Sequence, residues 1–123
     1  MATLLVIEDE APLRANIARL LTAEGYRVIA AADGDEGIRR VRENRPDLVI
    51  CDILMPLVDG YGVLATLRSQ PETAAIPFIF LTASADKDDF ARGLQSGANE
   101  YVTKPFKIAD LLAAVRRRLP AGG

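Results

Sequence analysis

Residues 46–60 read Pro46-Asp47-Leu48-Val49-Ile50-Cys51-Asp52-Ile53-Leu54-Met55-Pro56-Leu57-Val58-Asp59-Gly60, and the fold is decided in this stretch. Leu48 to Cys51 is an unbroken apolar run, the pattern of a parallel strand covered on both faces. The run ends at Asp52, a carboxylate where the strand surfaces. Met55-Pro56 and Asp59-Gly60 then mark a loop, because proline lacks a backbone donor and Asp-Gly favours a tight turn. Ligands of open α/β sheets bind at the carboxyl ends of the strands. Taken alone, Asp52 reads equally well as such a site or as a simple loop cap, and the rest of the chain has to choose.

Working outward, the chain repeats this pattern. Thr3 to Ile7 is a second buried strand and ends in Glu8-Asp9-Glu10. Pro12 suits the first turn of a helix, whose Leu13, Ile17, Leu20 and Leu21 recur at helical spacing before Gly25 stops it. Tyr26–Ala31 is a short strand; Asp33 or Asp35 caps the next helix, which Ile38 and Val41 anchor and Asn44 and Pro46 close. A helix is expected over Tyr61–Ser69, a buried strand over Pro77–Thr82, and a helix opening at Asp86 with Phe90 and Leu94 inward and Gly97 as its stop. A fifth strand over Ala98–Val102 leads into Thr103-Lys104-Pro105-Phe106. The last helix aligns Ile108, Leu111, Leu112, Val115 and Leu119, with Arg116, Arg117 and Arg118 as a solvated C-terminal end that the helix dipole favours. Five strands alternating with five helices predict one α/β domain with right-handed crossovers. Its boundaries are 1–119, with 120–123 as a disordered tail or the start of a linker.

Composition narrows the function. The chain has 123 residues, half of them hydrophobic, and a formal charge of -2, which gives no electrostatic footprint for direct nucleic-acid binding. No apolar run approaches the roughly 18 residues of a membrane span. The single cysteine, Cys51, fits a reducing cytoplasm. Histidine is absent, which removes histidine triads, histidine metal sites and a histidine phosphocarrier together.

Four strand ends carry polar groups: Glu8 with Asp9, Asp52, Thr82, and Lys104 just past the fifth strand. A flavodoxin-like parallel sheet in the order 2-1-3-4-5 makes the first and third strands neighbours, so the three carboxylates meet at its switch point. Two such charges about 5 Å apart repel by roughly 3 kcal/mol at an effective dielectric near 20. A hard cation relieves this, and Mg²⁺ held by a few carboxylates and several waters fits best. Carboxylates, a hydroxyl and a lysine together suit phosphoryl transfer, in which catalysis is positioning plus charge stabilisation.

These residues carry a resemblance. With Glu8-Asp9, Asp52, Met55-Pro56, Asp59-Gly60, Thr82-Ala83 and Lys104-Pro105-Phe106 in this order, essentially the whole chain resembles a receiver domain of two-component response regulators. The resemblance implies that Asp52 accepts a phosphoryl group from a phosphohistidine on a sensor histidine kinase or histidine phosphotransfer protein. It implies Mg²⁺ on Asp9, Asp52 and the backbone carbonyl of Leu54, with Glu8 acting largely through water. Lys104 would pair with the phosphoryl group, and the Lys104-Pro105 bond would be cis. Thr82 would bond a phosphoryl oxygen, and Tyr101 would be its aromatic switch partner.

The expectation is therefore a signalling phosphoacceptor that promotes only its own phosphorylation and dephosphorylation, rather than a metabolic enzyme. It would act on a downstream effector or output domain. The alternative is a degenerate receiver, a phosphorylation-independent interaction module, against which the intact acidic trio, Thr82 and Lys104 argue. An aspartate-dependent phosphatase would place two aspartates two residues apart after the first strand, whereas here Glu8, Asp9 and Glu10 are adjacent. A flavin carrier would need a Ser/Thr/Gly-rich loop there. Of the charged pairs that support dimers in the winged-helix subfamily, Arg92 with Asp110 is available, but Ala114 stands where Glu100 would find its arginine. The unphosphorylated domain is expected to be mainly monomeric.

Overall fold

The computed structural model describes residues 1–83, 95 and 97–119. Five strands, β1 (Thr3–Ile7), β2 (Arg27–Ala31), β3 (Leu48–Asp52), β4 (Phe78–Thr82) and β5 (Glu100–Thr103), form one sheet in the order β2-β1-β3-β4-β5. Every pairing is parallel. Among the described residues the helices are α1 (Ala11–Ala23), α2 (Gly34–Asn44), α3 (Gly60–Arg68) and α4 (Ile108–Arg118). The helix expected from Asp86, with Phe90, Leu94 and Arg92, lies outside the described residues, as do 120–123.

Alternation along the strands sends side chains to two faces. Leu5, Ile7, Val49, Cys51, Phe78 and Phe80 pack with Val41 of α2 and Val63, Leu64 and Leu67 of α3. Leu4, Val6, Leu48, Ile50, Ile79 and Leu81 pack with Ile17 and Leu21 of α1 and Leu111, Leu112 and Val115 of α4. Both faces of the central strands are covered, which is why β3 and β4 read as continuous apolar runs rather than alternating ones.

Local chemistry fixes the helix ends. Asp33, rather than Asp35, caps α2: its Oδ1 accepts from the Glu36 N–H at 2.8 Å, while Glu36 Oε1 accepts from the Ala32 N–H at 2.7 Å. This reciprocal pair satisfies two backbone donors at once. Gly25 ends α1 at a φ of +96°, a conformation that glycine enters without steric cost.

The fifth strand starts later than the sequence predicts, at Glu100 rather than Ala98. Asn99 accounts for the shift. Its side-chain oxygen accepts from the Phe78 N–H at 2.9 Å and from Arg68 Nη2 at 3.2 Å, so a side chain takes over where a ladder bond would stand. Arg68 also donates to the carbonyls of Ile76 and Gly97, joining the end of α3 to the turn before β5.

Candidate functional site

Parallel pairing brings the carboxyl ends of β1, β3, β4 and β5 to one edge. Ile7 is level with Cys51, Asp52 with Leu81, and Thr82 with Thr103. Glu8 therefore follows β1 alongside Asp52, Thr82 ends the strand beyond it, and Lys104 follows β5. One oxygen from each of Glu8, Asp9 and Asp52 lies within 4.8 Å of the others. Glu8 is fully buried and Asp52 is only 6% exposed, whereas Asp9 faces solvent.

A buried carboxylate needs partners. The Lys104 ammonium donates to Glu8 Oε1 at 2.9 Å and lies 3.4 Å from Asp52 Oδ2. The second Glu8 oxygen accepts from the Glu10 N–H at 3.1 Å. Burial still outweighs these contacts, and Glu8 and Asp52 are both held above the ordinary carboxylate range. For Lys104 the balance reverses. Burial lowers its pKa, but the hydrogen bond to Glu8 and the charges of Asp52 and Glu8 raise it overall, so the ammonium stays protonated.

Backbone contacts aim these groups. The Lys104 N–H donates to the Thr82 carbonyl at 2.6 Å, and the Lys104-Pro105 bond is cis, as the resemblance implied. Arg14 of α1, which the sequence did not single out, donates to the Glu8 carbonyl at 2.9 Å. After Asp52 the chain closes a short loop: the Gly60 N–H donates to the Ile53 carbonyl at 2.8 Å, and Asp59 caps α3 by accepting from the Gly62 N–H. A Cβ on Gly60 would stand 2.5 Å from the Asp52 carbonyl oxygen and 2.9 Å from Ile53 Cα. Only glycine lets α3 begin this close to the acidic strand.

The sequence-predicted residues fall into two groups. Glu8, Asp9, Asp52 and Lys104 converge in one pocket. Thr82 is buried at the end of β4, next to β3, and Leu54 follows Asp52 by two residues with its side chain turned to solvent. Tyr101 is half-buried on the other side of β4, and its ring meets Phe80 edge-on at 6.2 Å. Phe80 and Thr82 are two apart on β4 and so point to one face of the sheet, the face that Tyr101, paired with Phe80, also shares.

The basic end of α4 is paired as well as solvated, which corrects the sequence expectation. Arg117 and Arg118 donate to the two oxygens of Glu100 at 2.9 and 2.5 Å, and Arg116 reaches Glu24 at 3.3 Å. Burial raises the pKa of Glu100, but the bonds to Arg117 and Arg118 outweigh it and lower it overall. Ala114, the position where an arginine would be sought, is buried.

The acidic cluster could hold a hard cation. Three oxygen donors converge, so the residues fit Mg²⁺, and a fixed ammonium stands beside the carboxylate at the strand end. Residues 4–116 match the family described as response regulator receiver domain. The transcriptional regulatory protein AfsQ1 of Streptomyces coelicolor is 41% identical over 99% of this chain, which spans 53% of AfsQ1. The chain thus covers about half the length of the curated relatives it matches. Chemotaxis protein CheY4 of Vibrio cholerae superposes with a TM-score of 0.92 at 30% identity, covering 97% of this chain and 99% of CheY4. The receiver domain of sensor histidine kinase PA1611 of Pseudomonas aeruginosa, solved with a magnesium ion coordinated in its active-site cleft, superposes at 0.87 with 35% identity. That match covers 95% of this chain and 96% of PA1611's receiver domain.

Proposed function

The chain belongs to the response regulator receiver domain family, and on that premise we propose that it is a phosphoacceptor whose Asp52 takes a phosphoryl group from a partner's phosphohistidine. The observation that carries the reading is the single ammonium of Lys104 shared by Glu8 at 2.9 Å and Asp52 at 3.4 Å, within a cluster of three carboxylates.

In the proposed step an Asp52 side-chain oxygen attacks phosphorus, a new O–P bond forms, and the N–P bond to the donor imidazole breaks. The imidazole nitrogen keeps the electron pair and takes up a proton. Asp52, at the end of a fully buried strand and beside the glycine-closed loop, presents its carboxylate in a fixed place. Mg²⁺, when bound by Asp9, Asp52 and the Leu54 carbonyl, would neutralise charge building on the transferring oxygens. Lys104 would move its ammonium from Glu8 toward the incoming phosphoryl oxygens, and Glu8 would then be left to bound water. The Thr82 hydroxyl would follow as a neutral donor.

The output is a change of surface. A phosphoryl group adds charge and acceptor oxygens at Asp52. If Thr82 turns toward it, the Tyr101 ring can enter the space released, since packed interiors have discrete arrangements. A partner then discriminates the states only by binding the β5 face differently in each. The proposed donor is a sensor histidine kinase or a histidine phosphotransfer protein, and the proposed recipient an effector or output domain. Incubation with acetyl phosphate and Mg²⁺ tests the acceptor: the intact mass gains one phosphoryl group in wild type and none in Asp52→Asn. Equal gain in both proteins would remove Asp52 from this role.

A further inference from the structure

The loop that follows Asp52 displays apolar side chains to solvent. From Asp52 onward its residues alternate in purpose. Met55 is buried and Val58 packs against the core, pinning the loop, while Leu54 is 73% and Leu57 99% exposed. Apart from Met1, these are the large hydrophobic residues left exposed among the described residues.

Leu57 is costly twice over. Its φ is +67°, a left-handed conformation that a side chain with a Cβ resists and that glycine or asparagine accepts readily. Its side chain buries nothing, so no hydrophobic gain within the chain offsets that cost. The loop ends are fixed independently, by the Gly60 N–H on the Ile53 carbonyl and by Asp59 on the Gly62 N–H. A polar αL residue would suit the isolated fold better. Folding alone therefore gives no reason for a leucine here.

We infer that Leu57, with Leu54 three residues before it in the same loop, is an apolar docking point for the protein that delivers the phosphoryl group, received by apolar side chains flanking that protein's phosphohistidine. The inference rests on the phosphoacceptor reading. Asp52 is recessed, so an imidazole carried on a protein reaches it only if the surrounding donor surface closes on the rim of the pocket. Leu54 and Leu57 lie between Asp52 and Asp59, in the short loop that leaves the acidic cluster at Asp52 and is closed by the Gly60 N–H on the Ile53 carbonyl. A second copy of this chain is the weaker occupant. Two leucines fall well short of the roughly 800 Å² per partner that a stable interface buries. They suit a brief encounter, which is what transfer and release require. A small phosphodonor touches the pocket without covering the rim, so it should be indifferent to Leu57.

Two variants separate apolarity from backbone conformation. Leu57→Asn keeps a residue that tolerates positive φ and removes the apolar group; Leu57→Met keeps an apolar side chain. Each is compared with wild type in transfer from an autophosphorylated sensor kinase, the one of a panel that phosphorylates wild type fastest, and in phosphorylation by acetyl phosphate. In Leu57→Asn the concentration of receiver needed to half-saturate the kinase reaction should rise about tenfold, the scale of losing one well-buried anchor. Its acetyl phosphate rate should stay unchanged, its melting temperature should not fall, and Leu57→Met should behave as wild type. Kinase transfer to Leu57→Asn at the wild-type half-saturation overturns the docking point. So does an equal loss with both donors, which would make Leu57 a support of the pocket itself. A concentration-dependent dimer of wild type that Leu57→Asn abolishes would assign the patch to a second copy instead. Failure of wild type to take any phosphoryl group from acetyl phosphate would strike the phosphoacceptor reading rather than the surface.

Discussion

The Lys104 ammonium lies nearer to Glu8, at 2.9 Å, than to Asp52, at 3.4 Å. The cation thus holds the fully buried carboxylate most closely and leaves the strand-end carboxylate the less tightly engaged of the two. On the proposed reading Asp52 would be the freer to react, with Lys104 already standing where charge would be added.

Lys104→Met should expose this arrangement. It leaves the buried Glu8 charge without its cation, and removing one partner of a buried pair costs about 3 kcal/mol or more. Glu8 can escape by binding a proton, so the loss should be larger at pH 8 than at pH 5. Urea denaturation at both values measures it, and an equal loss at both would show that Glu8 does not depend on Lys104.

Proton and metal should compete. Burial raises Glu8 and Asp52, so the folded state binds protons more readily than the unfolded chain does. As pH falls from neutral through these raised values, protonation relieves the repulsion and stabilises the fold, and the gain is complete below the ordinary carboxylate value of about 4. Mg²⁺ needs the deprotonated groups. Its stabilisation, read as a rise in melting temperature, should be greatest near pH 8, fade at a pH above that ordinary value, and largely vanish in Asp9→Asn. A pH-independent Mg²⁺ effect would place the ion elsewhere.

Gly60→Ala should fail for a steric reason. The added methyl group meets backbone at 2.5 and 2.9 Å, and overpacking of this kind costs about 1–3 kcal/mol. Because the clash is with Asp52 and Ile53, acetyl phosphate labelling should fall along with stability. Wild-type labelling and melting would mean that α3 does not need this close approach.

Thr82→Ala should separate phosphorylation from its consequence. Asp52 should still be labelled, at a reduced rate, while the response at Tyr101 to beryllofluoride, a phosphoryl mimic, should shrink. Amide spectra of both proteins, read over 97–103, give the comparison. Equal shifts in the two would leave Tyr101 as ordinary packing against Phe80.

Much of this was legible in the chain. Leu48–Cys51 and Phe78–Leu81 announced a doubly covered sheet because every residue in them is apolar, and the polar residue that ends each run marked the edge where the acidic cluster gathers. The acidic trio and Lys104 followed from position alone, once parallel pairing put strand ends together. What escaped was carried by side-chain bonds between distant segments. Asn99 looked like a strand residue, but its amide serves Phe78 and Arg68. Arg14, unremarked in the sequence, holds the Glu8 carbonyl. Glu100 finds no arginine at position 114; its two partners lie at the far end of α4 and depend on how that helix packs.

The most direct measurement locates the phosphoryl group itself. Wild-type protein treated with acetyl phosphate and Mg²⁺ is reacted with hydroxylamine, which cleaves an acyl phosphate and leaves a hydroxamate on the carboxyl group that carried it. Proteolysis and tandem mass spectrometry then identify the residue. The hydroxamate is expected at Asp52, formed only when Mg²⁺ was present during phosphorylation. A hydroxamate at Asp9 or Glu8, or a phosphoryl adduct that resists hydroxylamine, would contradict the assignment of Asp52 as the acceptor.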